Sequence, residues 1–422
     1  MSVRFYNLKK DRIRSLPLKL QAKILNKLNV KQLLNATLVS KRWNTMITDS
    51  EVFKNSVWIR CYSPIGDLDS IRNSTRHYEN FKLSDTMGGP IEAIVLHYLK
   101  QVIWKRVYLY IRNPDCPYLS ELIDVIAETV EELELRSLVQ LQIREDCTFP
   151  KLKRLRIVNC QEFVFEAFLF KTPILQTFSF DSPSQEQIQI LPMLREKPHI
   201  THLHLKGRIL NEIFEQNITR IVSLNLLTLS INNDSRNILS EDQENNVVSF
   251  IQNQKYLESL YLTNNICNNL INMLWNSMPS ALTHISFKEL SQPTLEDFFL
   301  IPNENIIELH FHGPVRTLEE IIPFLEACPN LERLYVQNLT AELVHYCGMY
   351  LLKLILIKYQ HASEFPLKKI DRLETFMRLK THPQIINKKF ELFEINFTQH
   401  IMSITEYGWY RVPVYQHFLR FY

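Results

Sequence analysis

Apolar and polar positions along most of the chain follow one six-residue pattern: apolar, x, x, apolar, x, apolar. Copies begin at Tyr78, Trp104, Val130, Leu152, Leu175, Ile200, Leu224, Leu257, Leu282, Ile306, Leu331 and Leu352. Their middle apolar residues run from Phe81, Val107 and Leu133 to Leu334 and Ile355, in steps of 21 to 33 residues. The end of each copy has a period of two, which is that of a strand. Leu203 and Leu205 fall on one face, and His202, His204 and Lys206 fall on the other. Between copies the period lengthens to that of a helix, as in Glu121 to Val130 and Thr317 to Leu325. Each unit is therefore a strand followed by a helix, and each needs neighbours to bury its apolar side.

The mean step of about 25 residues lies within the period of leucine-rich repeats. Such units predict an α/β solenoid of about 12–13 repeats, a horseshoe with a parallel sheet on its concave face and helices outside. The longest step contains Asn232 to Asn246, a polar run that reads as a surface insertion dispensable for folding. Beyond Ile357 the pattern weakens. Phe390 to Ile395 reads as a thirteenth copy, and the aromatic stretch from Trp409 to Tyr422 as a cap on the open end.

Residues 1–60 carry a different rhythm, and residues 61–422 the repeats. Ser15-Leu16-Pro17 reads as a helix start, since proline at a first helical position loses no needed donor. Leu20, Ile24 and Leu28 make one helical face. Leu33, Leu34 and Leu38 suggest a second helix, and Trp43, Met46 and Ile47 a third. By pattern alone, this is a three-helix cap on the solenoid.

Charge separates the same two regions. Residues 1–60 hold 13 Lys/Arg against 3 Asp/Glu, whereas residues 61–422 hold 35 against 42. Lysines set between regularly spaced leucines imply a folded basic module rather than a nucleic-acid-binding tail. Seven scattered cysteines without a C-x-x-C point to a reducing compartment, and no secretory signal or membrane span is visible. Seven glycines leave no G-x-G-x-x-G, P-loop or G-x-S-x-G, and H-E-x-x-H is also missing. That argues against nucleotide-dependent and hydrolase chemistry.

The string from Leu16-Pro17 through Leu20, Ile24 and Leu28, followed by Val39-Ser40-Lys41-Arg42-Trp43, resembles an F-box over about residues 15–56. Lys19 stands where that family often has an acidic residue, and Val52-Phe53 where it often has an apolar residue followed by Trp. Phe324 to Leu334 resembles a repeat junction of F-box/leucine-rich-repeat proteins, and Ser74 to Leu83 the first strand after the F-box in some members. The resemblance implies docking on the Skp adaptor of cullin–RING ubiquitin ligases. It implies adaptor contacts for Leu16, Pro17, Leu20, Ile24, Leu28, Val39 and Trp43. The basic surface would complement an acidic adaptor.

The outward row between the last two apolar positions reads Glu134, Arg156, Ser179, His204, Thr228, Tyr261, Ser286, His310 and Tyr335. From it Arg156, His204, Tyr261, His310 and Tyr335 are the expected substrate contacts, because a concave row lets several repeats touch one partner. His202/His204 and His310/His312 resemble metal pairs, but they lie four repeats apart. That is roughly 19 Å, too wide for one ion. No metal, cofactor or catalytic residue is expected, and neither nucleic acid nor membrane is an expected partner.

The resulting expectation is a non-catalytic substrate-recognition subunit of an SCF-type ubiquitin ligase, inside the cell, in cytoplasm or nucleus. Its partners would be the Skp adaptor, cullin through it, and a target protein. The alternatives are an F-box protein with a non-degradative role, or a repeat scaffold or GTPase-activating protein with no ubiquitin link.

Overall fold

The structure is a computed structural model and describes residues 16–25, 27–62, 78–85, 99–111, 119–136, 144, 146–160, 171–182, 194, 197, 199–207, 224–232, 240–263, 268–288, 299–312, 318–362 and 391–394. Ser15 and the aromatic segment from Trp409 to Tyr422 lie outside them. The chain opens with helices α1 (Leu18–Leu25), α2 (Val30–Thr37) and α3 (Lys41–Thr48). A fourth short helix, α4 (Glu51–Ser56), follows the expected three. The starts of α2, α3 and α4 each have a side-chain cap. Asn29 forms a capping box with Gln32, Ser40 accepts from the Trp43 amide, and Ser50 accepts from the Phe53 amide. Leu25, Leu33, Leu34, Ile47, Phe53 and Val57 pack into a small core of their own.

The body is one sheet of fourteen strands in chain order, and every neighbouring pair is parallel. The first seven strands are β1 (Ile59–Tyr62), β2 (Asn80–Asp85), β3 (Arg106–Ile111), β4 (Glu132–Arg136), β5 (Arg154–Val158), β6 (Thr177–Ser182) and β7 (His202–Gly207). The rest are β8 (Thr228–Asn232), β9 (Ser259–Thr263), β10 (His284–Lys288), β11 (Glu308–His312), β12 (Arg333–Leu339), β13 (Leu356–Ala362) and β14 (Glu391–Glu394). A repeated backbone contact aligns them. The Lys105 carbonyl accepts from the amides of both Glu131 and Glu132, and the Glu131 carbonyl from those of Lys153 and Arg154. The same forked bond recurs as far as Glu332.

Helices α5 (Leu119–Ala127), α6 (Glu241–Gln252), α7 (Asn268–Trp275), α8 (Leu318–Glu326) and α9 (Ala341–Tyr350) follow β3, β8, β9, β11 and β12. Strands sit about 4.8 Å apart, whereas a helix with its side chains is about 10 Å wide. The helical side of such a stack must be longer, so the sheet lines the inside of the curve. One continuous core runs between the layers from Ile59 to Ile357.

Several expectations need correction. In β8 and β13 the residues in register are Leu229 and Ile357, two positions after Leu227 and Ile355. Burial explains the shift: in β8 Leu229 is sealed while Leu227 is half-buried, and before β13 Leu354 fills the core while Leu352 and Ile355 are exposed. Serine 230, not Thr228, therefore occupies the outward row. The sheet begins at Ile59, so the strand containing Phe81 is its second. The thirteenth copy is present as β14, with Leu392 paired to Ile357. The polar run is no simple insertion either. Ser240 caps α6 through a capping box with Gln243, and Glu244 is buried and bonded by Asn269 Nδ2 at 2.6 Å. Residues 240–246 are the cap and first turns of a helix, and residues 233–239 lie outside the described residues.

Candidate functional site

The head offers a partner an apolar ledge. Leu38 and Val39 are 76% and 69% exposed, and Leu20 is 44% exposed. Local chemistry builds the ledge. Leu38 is the residue on which α2 ends, and Ser40 leaves the helical path to cap α3. The chain between them cannot turn its side chains into the core. The Val-Ser-Lys-Arg-Trp string thus divides its work: Ser40 starts the helix, Trp43 rests against the head core, and Val39 projects.

The seven expected adaptor residues sort accordingly. Pro17, Leu20 and Val39 are exposed, and Leu16 and Ile24 are half-buried. Leu28 and Trp43 are half-buried against the head core, where they shape the surface from behind. Pro17 precedes α1 rather than opening it, and its carbonyl accepts from the Leu20 and Gln21 amides at 2.9 and 3.1 Å. Leu38 was not expected here. Its spacing from Leu34 suggested core, and only the helix end at Thr37 turns it outward.

The head is fastened to the sheet. Asn80 Nδ2 donates to the carbonyls of Lys54 and Val57, the latter at 2.8 Å. Arg106 bonds both the carbonyl and the side chain of Asn55. Tyr78 packs against both cores, and Trp58 meets Tyr108 in a tilted ring contact with centroids 4.5 Å apart. An adaptor held by the head would therefore stand at a set angle to the concave face.

That face is polar and densely paired. The register aligns Glu134, Arg156, Ser179 and His204 on neighbouring strands, then Ser230, Tyr261, Ser286, His310 and Tyr335. All five expected contacts thus share one row, but they differ in what they offer. Tyr261 and His310 are half-buried, whereas Tyr335 is only 3% exposed and lies between His310 and His312, with centroids 4.9 Å from each. Tyr335 organises the histidines more than it meets a partner. Arg156 pairs with Glu134 at 3.6 Å. Burial, with the charges of Arg156 and Lys206, pushes the His204 imidazole down to about 3. Burial, with His310 and Lys288, does the same to His312.

Sequence reasoning missed Glu308, the centre of the C-terminal part of this face. His284 Nε2, His310 Nε2 and Arg333 Nε lie 3.0, 2.6 and 2.9 Å from its oxygens. Burial opposes its ionisation, but the bonds and charges of the two histidines hold its carboxyl well below the usual carboxylate range. The signal was available, since Glu308 sits one place before the apolar Leu309, on the second outward row. No group of three or more His, Cys, Asp or Glu among the described residues is arranged to hold a metal.

Residues 13–55 match the family model of the F-box domain. The head is an F-box domain. It is joined to a leucine-rich-repeat body, which the parallel register establishes strand by strand. No curated protein matches the chain. Among solved structures, the leucine-rich repeat-containing protein LegL7 from Legionella pneumophila is similar over 79% of this chain and 99% of its own, with 12% identity and a TM-score of 0.43. No helix among the described residues is long and apolar enough to cross a membrane.

Proposed function

We propose that this chain is the substrate-recognition subunit of an SCF-type cullin–RING ubiquitin ligase. The F-box match carries the reading, and the exposed Leu20, Leu38 and Val39 beside it give the surface that would hold the Skp adaptor. Cullin would be reached through that adaptor, and the concave sheet would hold a target protein. The chain itself would do no chemistry. Its contribution is to raise the effective concentration of a target lysine near the loaded conjugating enzyme, a proximity effect. The bonds from Asn80 and Arg106 to the head suit that task, because a fixed angle between adaptor and target keeps the lysine in reach. The reading places the protein inside the cell.

Reconstitution with Skp adaptor, cullin, RING protein and the ubiquitin-conjugating machinery tests it. The expected result is a stable complex that ubiquitylates a captured target. Failure to co-purify with the adaptor would refute the reading and leave a repeat scaffold. A complex that captures targets without changing their ubiquitylation or half-life would establish a non-degradative F-box role instead.

A further inference from the structure

The concave face has the opposite sign to the body that carries it. Outward positions on β2–β13 hold nine Lys/Arg against four Asp/Glu, within residues 61–422 that as a whole hold 35 against 42. Depth sharpens the contrast. In every Lys/Arg–carboxylate pair on this face among the described residues the carboxylate lies deeper than its cation. Arg154 keeps 44% of its side-chain surface above Glu132 with 15%, and Arg136 keeps 29% above Glu134 with 8%. The acids hold the guanidinium groups in place from beneath, and the groups at the surface are cationic. Such preorganisation lowers the ordering cost of binding.

We infer that the concave face takes an extended, Asp/Glu-rich protein segment, anchored on Arg106, Arg136, Arg154 and Arg156 at the end next to the F-box. The inference rests on the reading of this face as the target surface. A distributed acidic segment fits better than one phosphate group. The cations are spread over successive strands, and each of the four arginines already meets a carboxylate, whereas a phosphate needs several donors converging on one point. A nucleic acid fits less well, because its closely and regularly spaced phosphates cannot avoid the carboxylates that lie among the arginines, whereas the acidic side chains of a peptide can be spaced to meet the cations alone. Positive charge at the surface also speeds encounter with an acidic segment.

Fluorescence anisotropy on the full-length chain tests this with four labelled probes. They are an Asp/Glu-rich peptide, a neutral peptide of equal length, a phosphoserine peptide of equal net charge and a single-stranded oligonucleotide. The acidic peptide should bind, and its affinity should fall on the order of tenfold between low and physiological salt. The Arg136→Glu/Arg154→Glu variant should lose at least as much, and the milder Arg154→Gln part of it. The double reversal also sets carboxylates beside Glu132 and Glu134 and should lower the melting transition. Arg154→Gln, melting close to the parent, therefore separates lost binding from lost folding. Equal binding of the neutral peptide, or none of the acidic one, overturns the inference. So does tighter binding of the phosphopeptide or of the oligonucleotide, each of which would name the other ligand. Adaptor co-purification is read in parallel. Peptide binding without adaptor binding keeps this inference and removes the ubiquitin-ligase reading.

Discussion

The head and the strands of the sheet treat apolar side chains in opposite ways, although between its strands the body too leaves residues such as Phe299 and Leu352 in solvent. In the sheet, register positions such as Phe81, Val107, Leu133 and Leu309 are sealed, and the concave side carries charge and imidazole. Among its described residues the head seals seven apolar side chains in its core and leaves Leu20, Leu38 and Val39 in solvent. A repeat completes its core with its neighbours. A small module that keeps apolar surface uncovered retains it for a partner. The difference teaches that exposure of an apolar residue carries functional information only against the local standard of burial.

The comparison breaks most violently in the body. Trp104 is fully buried, packs on Phe81 with centroids 5.2 Å apart, and donates from Nε1 to the Leu99 carbonyl at 3.0 Å. Trp104→Ala should cost about 3–5 kcal/mol in a urea or thermal melt. Trp43→Ala in the head should cost less, since Trp43 is only half-buried. Equal losses would mean that the two cores are packed alike.

Acid should also act on the body. Residues 16–58 contain no histidine, while β7 and β11 carry His204 and His312, each held near 3 against an ordinary 6.5. Over that interval the folded chain binds fewer protons than the unfolded one. Stability should be complete above about pH 6.5 and fall as the pH drops towards 3, by at most about 1.4 kcal/mol per pH unit for each histidine. Glu308 adds to the loss below its ordinary 4.5, because its lowered folded value has the same sign. Melts between pH 7.5 and pH 5 should show a shallower slope for His204→Gln and His312→Gln than for the parent. An unchanged slope would place both imidazoles in a wetter setting.

The fold was legible where chemistry is periodic, and illegible where it depends on an end. Alternation located Phe81, Val107, Leu133, Leu155, Phe178 and Leu203 in their observed register. It slipped at Leu227 and Ile355, because Leu224/Leu226 and Leu352/Leu354 offer two apolar starts, and only packing, which buries Leu229 and Ile357 and leaves Leu227 half-buried and Ile355 exposed, selects the register. Polarity misled at residues 240–246, where Ser240 and Gln243 spell a capping box. The F-box was legible through a signature string. The exposure of Leu38 was not, since its place depends on where α2 stops. The place of Glu308 on the second outward row was available from alternation, but its pairing was not, because His284 and Arg333 arrive from neighbouring strands.

A smaller effect tests that correction. Ser240→Ala removes the side chain that accepts from the Gln243 amide at the start of α6, and should destabilise the body by about 1 kcal/mol. Deleting residues 240–246 should cost more, since it also removes buried Glu244 and its bond from Asn269. A deletion that melts like the parent would restore the reading of this run as a surface insertion.

The smallest cost to the fold should accompany a decisive loss of adaptor binding. Leu38→Asp and Val39→Asp change side chains that are mostly in solvent, so each should shift stability by less than about 0.5 kcal/mol. Neither residue belongs to the head core, and the cap from Ser40 to the Trp43 amide stays intact. Yet a carboxylate on the ledge would be buried unpaired beneath an adaptor, a penalty large enough to abolish co-purification. Trp43→Ala is the less discriminating probe, because it would weaken the head and the adaptor surface together. The informative pattern is a double variant with a parental melting curve and no bound adaptor. A double variant that keeps both its fold and its adaptor would show that the ledge is not the docking surface, and attention would pass to the Pro17 and Leu20 end of the head.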